Sequence, residues 1–263
     1  MSDFDRNAAT AQYGRPLTRA EAAVVDEGLR AYMLRVYNYM VLGLAITGVA
    51  ALGVYMLSVT TDPALAVAKV RSIMLTNVGY ALFVSPLKWA VILAPLALVF
   101  FLSFRIQNMR PATAQITFWI YAALVGVSLG SIFLIYTHTS IVRVFFITAA
   151  SFGALSLWGY TTQRDLTGMG AFLIMGLFGI IIASLVNIFL VSSMMQWIIS
   201  VVGVVIFAGL TAYDTQRLKN EYVYGAMEGD VMERSAIMGA LSLYLDFLNL
   251  FTMLLSLLGS RDE

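Results

Sequence analysis

Leu243-Tyr244-Leu245-Asp246-Phe247-Leu248-Asn249 places one carboxylate at the middle of an otherwise apolar stretch running from Ala236 to Leu258. A bilayer core about 30 Å thick asks for about 20 mostly apolar residues per helix. The stretch meets that length, so it predicts a membrane-spanning helix with an aspartate near its centre. Such a residue costs ~2.5–3.5 kcal/mol on insertion scales and usually faces the bundle interior or a water-filled cavity.

Moving outward from this helix, six more stretches qualify, roughly Val36–Leu57, Pro86–Phe104, Ala112–Tyr136, Ile141–Tyr160, Met169–Val191 and Gln196–Asp214. Short connections favour antiparallel neighbours and one bundle. Composition points the same way. Soluble domains are about 45–50% apolar and about 25% charged, whereas this chain is 60% hydrophobic and 12% charged. The fold class expected is therefore an all-α membrane protein with seven transmembrane helices. Two domains follow: a polar cytoplasmic N-terminal tail, residues 1–35, and a transmembrane domain, residues 36–263. The tail is too long and too mixed in charge for a signal peptide. Within it, Thr18 and Glu21 stand at capping-box spacing, which suggests a short helix leading into the first span.

Residues 64–84 are half apolar but carry Lys69 and Arg71, so a loop or surface helix is expected there rather than an eighth span. Ser85-Pro86 reads as the N-cap and first residue of the second span, and Pro95 inside that span predicts a kink. With the N-terminus in the cytoplasm, eleven basic residues fall on the inner side, among them Arg30, Arg35, Arg105, Arg110, Arg164, Arg217 and Lys219. The outer side holds five: Lys69, Arg71, Lys88, Arg143 and Arg261. This asymmetry favours an inside N-terminus. Trp89, Trp119, Trp158 and Trp197 fall near the ends of these stretches, where amphipathic rings prefer to lie. Gly126-x-x-x-Gly130 has the spacing of close helix contacts, through packing within the chain or through a dimer.

Of the fifteen acidic residues, only Asp214 and Asp246 fall in or at a span. Their helices are consecutive and so expected to be neighbours. Two charges ~4 Å apart at an effective dielectric of ~20 repel by about 4 kcal/mol. A touching pair would hold one shared proton near neutral pH and titrate as a unit. Losing that proton sets two negative charges face to face, which drives the helices apart or admits a cation. Asp214 and Asp246 are thus candidates for a pH sensor and ion pathway, and for a weak Ca²⁺ site, since carboxylate oxygens suit a hard divalent cation. Plainer readings stand beside this one. Asp214 caps its span or pairs with Arg217, and Asp246 makes a structural hydrogen bond. Arg105 is a candidate counter-ion, or a simple positive-inside anchor. His138 reads as an exposed loop residue.

Other chemistries find little support. One histidine and no cysteine leave neither a histidine-partnered nucleophile within the membrane nor a multi-histidine zinc site. No Gly-rich phosphate loop appears, and no basic run suggests nucleic acid. No enzyme activity and no cofactor is expected; the partners expected are the lipid bilayer, protons and Ca²⁺ as a permeant ion.

Three motifs carry a family resemblance: Ser156-Leu-Trp-Gly-Tyr-Thr-Thr-Gln-Arg-Asp-Leu-Thr-Gly-Met-Gly170, Ile206-Phe-Ala-Gly-Leu-Thr-Ala-Tyr-Asp-Thr-Gln-Arg217 and Ala240-Leu-Ser-Leu-Tyr-Leu-Asp-Phe-Leu-Asn-Leu-Phe251. From the first span to the end, the chain resembles the bacterial branch of the Bax inhibitor-1 family. The resemblance implies a seven-helix bundle around a central C-terminal helix, in the bacterial inner membrane. It implies that Asp214 and Asp246 form a di-aspartyl pH sensor gating a calcium leak, with Arg105 matching an arginine that locks the closed state. It also implies a different role, found in bacterial relatives, as modulator of a membrane-anchored ATP-dependent protease. Counting along the helices places Asp214 shallower than Asp246, so contact between them requires a shifted or tilted seventh helix.

Overall fold

The computed structural model describes residues 19–70, 72–225 and 229–261. Residues 1–18 of the expected tail, the Thr18 cap and Arg71 lie outside them. Seven helices are long and apolar enough to cross a membrane. They are α1 (Arg19–Ser58), α3 (Leu87–Arg105), α4 (Pro111–Leu129), α5 (His138–Thr161), α6 (Thr167–Leu190), α7 (Ser193–Gly225) and α8 (Gly229–Leu258), with a short α2 (Asn77–Phe83) after the first span. The chain is an all-α membrane protein with seven candidate spans, as its hydropathy predicts.

It divides into two compact units. The first holds α1 up to Asn38, α5 from Arg143, and α6, α7 and α8. Its apolar core joins Leu173 and Ile180 of α6 to Ile199, Ile206, Phe207 and Leu210 of α7 and Leu250 of α8. Close backbone approach is part of this packing. A Cβ at Gly159 of α5 would collide with the Ala212 carbonyl of α7, and one at Gly170 would collide with the Tyr213 ring. In a bilayer, where apolar burial no longer drives helices together, such contacts are a main source of association. Most of the middle of α8 is buried, through Gly239, Ala240, Leu241, Leu243, Tyr244, Asp246 and Phe247, while Ser242, Leu245, Leu248 and Asn249 form a half-buried face.

The helix preceding the first span is longer than its sequence suggested. α1 runs unbroken for 40 residues. Leu29, Tyr32, Met33 and Val36 are buried, Tyr32 stacks on Tyr222 at 5.3 Å, and its hydroxyl meets Ser235 at 3.0 Å. Arg35 pairs with Glu233 at 3.5 Å. Residues 29–36 are therefore packed helix, apolar apart from Arg30 and Arg35, with one face that seats on α7 and α8.

The second unit holds the rest of α1, then α2, α3, α4, the start of α5 and the C-terminal residues. The segment expected as a loop or surface helix, 64–84, holds the short helix α2 and no eighth span, but it also contributes to a three-stranded antiparallel sheet that the sequence did not announce. β1 (Val59–Thr60) and β2 (Ala68–Val70) flank β3 (Ile73–Leu75). Open sheet edges do not occur in lipid-exposed hydrocarbon, so this segment belongs outside the bilayer. Thr76 caps α2 by accepting from the Gly79 amide at 3.3 Å. Ser85 Oγ accepts from the Leu87 amide at 3.1 Å, and α3 begins at Leu87 with Pro86 in the capping position, one residue later than expected. Pro95 lies within α3 without ending it. Trp119 sits two turns inside α4, deeper than the other tryptophans. Gly126 faces the Ala50 Cβ, at 2.7 Å from where its own Cβ would stand, and Thr47 Oγ1 donates to the Ala122 carbonyl at 2.9 Å. The Gly126 face therefore serves contact between α1 and α4 within the chain. His138 is exposed, with its ring 5.3 Å from Tyr55 and 5.5 Å from Phe133.

Candidate functional site

Asp214 lies in the interior of α7, because that helix continues to Gly225. Hydropathy ended the span at Asp214 since the following residues, Thr215 to Asn220, are mostly polar. They remain helical because their polar groups are satisfied within the first unit. Gln216 accepts from the Leu166 amide and donates to the Arg164 carbonyl, both at 2.8 Å. Lys219, itself buried, donates to the Tyr160 carbonyl at 3.2 Å. Thr215 joins a chain of hydroxyls with Ser156 at 2.8 Å and Tyr37 at 2.6 Å, and donates to the Thr211 carbonyl at 2.7 Å.

Asp246 stands mid-way along α8, and both carboxylates are buried, Asp214 at 9% exposure and Asp246 at 5%. The two side chains hydrogen-bond to each other. An ionised carboxylate only accepts, so a bond between two carboxyl groups needs a proton on one of them. Oδ2 of Asp246 is buried and receives no hydrogen bond from an amide, a hydroxyl or a cationic group among the described residues.

A third group completes the cluster. Arg217, one turn beyond Asp214, approaches it at 3.4 Å and Glu221 at 3.6 Å. It also donates to Ser242 Oγ of α8 at 3.2 Å. The cation in contact with Asp214 within this unit is thus Arg217, the partner that the plainer reading of Asp214 named. The candidate counter-ion Arg105 ends α3 in the second unit as an exposed residue. The i, i+3, i+7 run Asp214, Arg217, Glu221 is visible in the sequence, but hydropathy ends the helix at Asp214 and leaves Glu221 as one more loop acid. Among the described residues no group of three or more His, Cys, Asp or Glu side chains is placed to hold a metal ion. Ca²⁺ takes six to eight oxygens, and Asp214 and Asp246 supply two carboxyl groups.

A bundle of apolar helices with a hydrogen-bonded pair of carboxyl groups inside it defines a multi-pass α-helical membrane protein with a buried polar site. Residues 29–263 match the family described as "Inhibitor of apoptosis-promoting Bax1". An uncharacterized protein of Rickettsia prowazekii is 48% identical over 94% of this chain and 96% of its own length. An uncharacterized protein of Caulobacter vibrioides is 45% identical over the full length of both chains. The inner membrane protein YbhL of Escherichia coli K12 is 43% identical over 89% of this chain and 93% of its own. The chain belongs to the Bax inhibitor-1 family.

Proposed function

We propose that this protein is a pH-sensitive calcium leak of the bacterial inner membrane, gated by the proton shared between Asp214 and Asp246. The observation that carries this reading is the buried hydrogen bond between the two carboxyl groups, on adjacent helices of one unit. With its proton in place, the bond holds α7 to α8. Without it, two carboxylates about 4 Å apart at an effective dielectric of about 20 repel by about 4 kcal/mol. Separation of the helices relieves that repulsion, and so does a divalent cation entering between them. Arg217 offsets part of the charge on Asp214 and so tunes the gate. Two carboxylates with no third ligating group favour passage over storage, because storage sites surround Ca²⁺ with more oxygens.

In this reading the N-terminus is cytoplasmic, following the excess of basic residues on that side. No step is catalytic and no cofactor takes part. Arg105 is a second cation for the pair only if Arg105→Gln alters the pH profile. The test is Ca²⁺ flux into proteoliposomes between pH 6 and pH 8, comparing the wild type with the Asp214→Asn, Asp246→Asn double variant. Flux that varies with pH in the wild type and loses that dependence in the variant is expected. Absent flux at every pH, from folded and inserted protein, overturns the reading and favours modulation of a membrane-anchored protease.

A further inference from the structure

Beside the carboxylate pair, α7 presents a second polar feature, of which the gating reading uses Arg217 alone. Tyr213, Gln216, Arg217, Asn220 and Glu221 follow the i, i+3, i+4, i+7, i+8 spacing of one helix face. Together with Thr167 at the start of α6 they line a cavity of about 310 Å³. A water molecule occupies about 30 Å³ in the liquid, so the space takes several waters or a small hydrated cation. Polar stripes inside a membrane bundle face either a partner or a water-filled cavity.

The walls are built rather than incidental. Gln216 ties the Arg164–Leu166 connection to α7 through its two hydrogen bonds. Asp165 fixes the adjoining start of α6 by accepting from both the amide and the hydroxyl of Thr167, at 2.9 Å and 2.6 Å. One wall of the cavity is thereby pinned from two sides.

Arg217 lines this space and reaches beyond it to Asp214 and Ser242. One nitrogen faces Asp214, a second donates to Ser242, and Nε points at Glu221. The Nε–Glu221 distance of 3.6 Å is beyond hydrogen-bond reach, and Nε is buried with no hydrogen-bond partner among the described residues. The guanidinium therefore stands between one carboxylate that lines the cavity and another inside the bundle.

We infer that this cavity is an aqueous vestibule for water and small hydrated cations, with Glu221 as its acidic wall and Arg217 as the plug separating it from the Asp214–Asp246 pair. The assignment of the pair as an ion pathway rests on the function proposed above, whereas the vestibule and its plug are read from α7 itself.

The chain contains no cysteine, so single cysteines report water access directly. Full-length Asn220→Cys, Ser242→Cys and, as an exposed control, Asp230→Cys are reconstituted in nanodiscs and treated with a cationic, membrane-impermeant thiosulfonate. Asn220→Cys is expected to react nearly as fast as the control and Ser242→Cys much more slowly. Adding Arg217→Gln to Ser242→Cys should speed its reaction by about tenfold, equivalent to ~1.4 kcal/mol. An unreactive Asn220→Cys beside a reactive control overturns the vestibule. A Ser242→Cys that reacts as fast as Asn220→Cys with Arg217 in place overturns the plug, without need of the double variant. Labelling requires no ion flux, so a reactive vestibule in a protein that passes no Ca²⁺ sinks the channel and keeps this inference, while flux without labelling does the reverse.

Discussion

Asp214 and Asp246 share a hydrogen bond although one lies eleven residues before the end of α7, at Gly225, and the other seventeen residues after the start of α8, at Gly229. The two positions do not face each other in simple hairpin register. Arg217 reaching Ser242, and Gly239 against Leu218, show the same helices meeting residue by residue around the pair.

The nature of the bond predicts which substitutions the site tolerates. Asp246→Asn supplies an amide donor to Asp214 and should retain folding stability to within about 1 kcal/mol, the net worth of one hydrogen bond. Asp246→Leu leaves Asp214 without that partner and should cost about 1–3 kcal/mol. Thermal unfolding in detergent distinguishes them; equal losses would show that the bond does not hold α7 to α8.

Two glycines of α5 make a matched pair. A methyl group at Gly159 meets backbone of Ala212, which has no rotamer to yield, whereas one at Gly153 meets nothing within 4 Å. Gly159→Ala is expected to destabilise by about 1–3 kcal/mol, as overpacking does. Gly153→Ala should cost nothing. Melting temperatures of the two variants test the contact, and similar values would remove it.

Gln216 uses an acceptor and a donor at once, on Leu166 and Arg164. Gln216→Glu keeps the first bond and replaces the second with two oxygens facing each other. Amide exchange at Leu166 and Thr167 should quicken in Gln216→Glu and more so in Gln216→Ala. Unchanged protection in both variants would mean that the connection is held elsewhere.

The start of α6 carries a pH-dependent cap. The hydroxyl of Thr167, and then its amide, hold the Asp165 carboxyl below its ordinary value of 3.8. A depressed value means that the cap's contribution is fully present above the ordinary value and is lost as pH falls through the lowered one. Acidification below about pH 4 should therefore fray the first turn of α6, read as faster exchange at the Thr167 amide. Asp165→Asn keeps an acceptor oxygen and should show no such dependence; equal acid sensitivity in the variant would argue against the cap.

Much of this architecture was legible because apolar runs of membrane length are hard to mistake. Asp246 announced itself as a lone charge in such a run. The limits arose where polar residues continue a helix. Thr215, Gln216 and Lys219 read as the start of a loop, yet partners from Ser156 to Leu166 satisfy them inside the unit, and those partners are distant in sequence. Residues 29–36 misled in the same way, since Tyr32 and Arg35 find their partners on α7 and α8. The sheet at 59–75 was illegible for another reason: strands of two and three residues are too short to display a period. Gly126 was recognisable as a contact residue, but nothing local says that its neighbour is Thr47.

The hydroxyl chain of Tyr37, Ser156 and Thr215 has a direction. Each hydroxyl owns one proton, and Thr215 spends its own on the Thr211 carbonyl. Ser156 must then donate to Thr215, and Tyr37 to Ser156. Such a row ends on a backbone oxygen that cannot pass a proton onward, so it acts as a rivet across α1, α5 and α7 and not as a wire. The flank of α7 that carries Thr215 is thus insulated against proton traffic, although Thr215 is the very next residue after Asp214. Any proton reaching the carboxylate pair must arrive by another face.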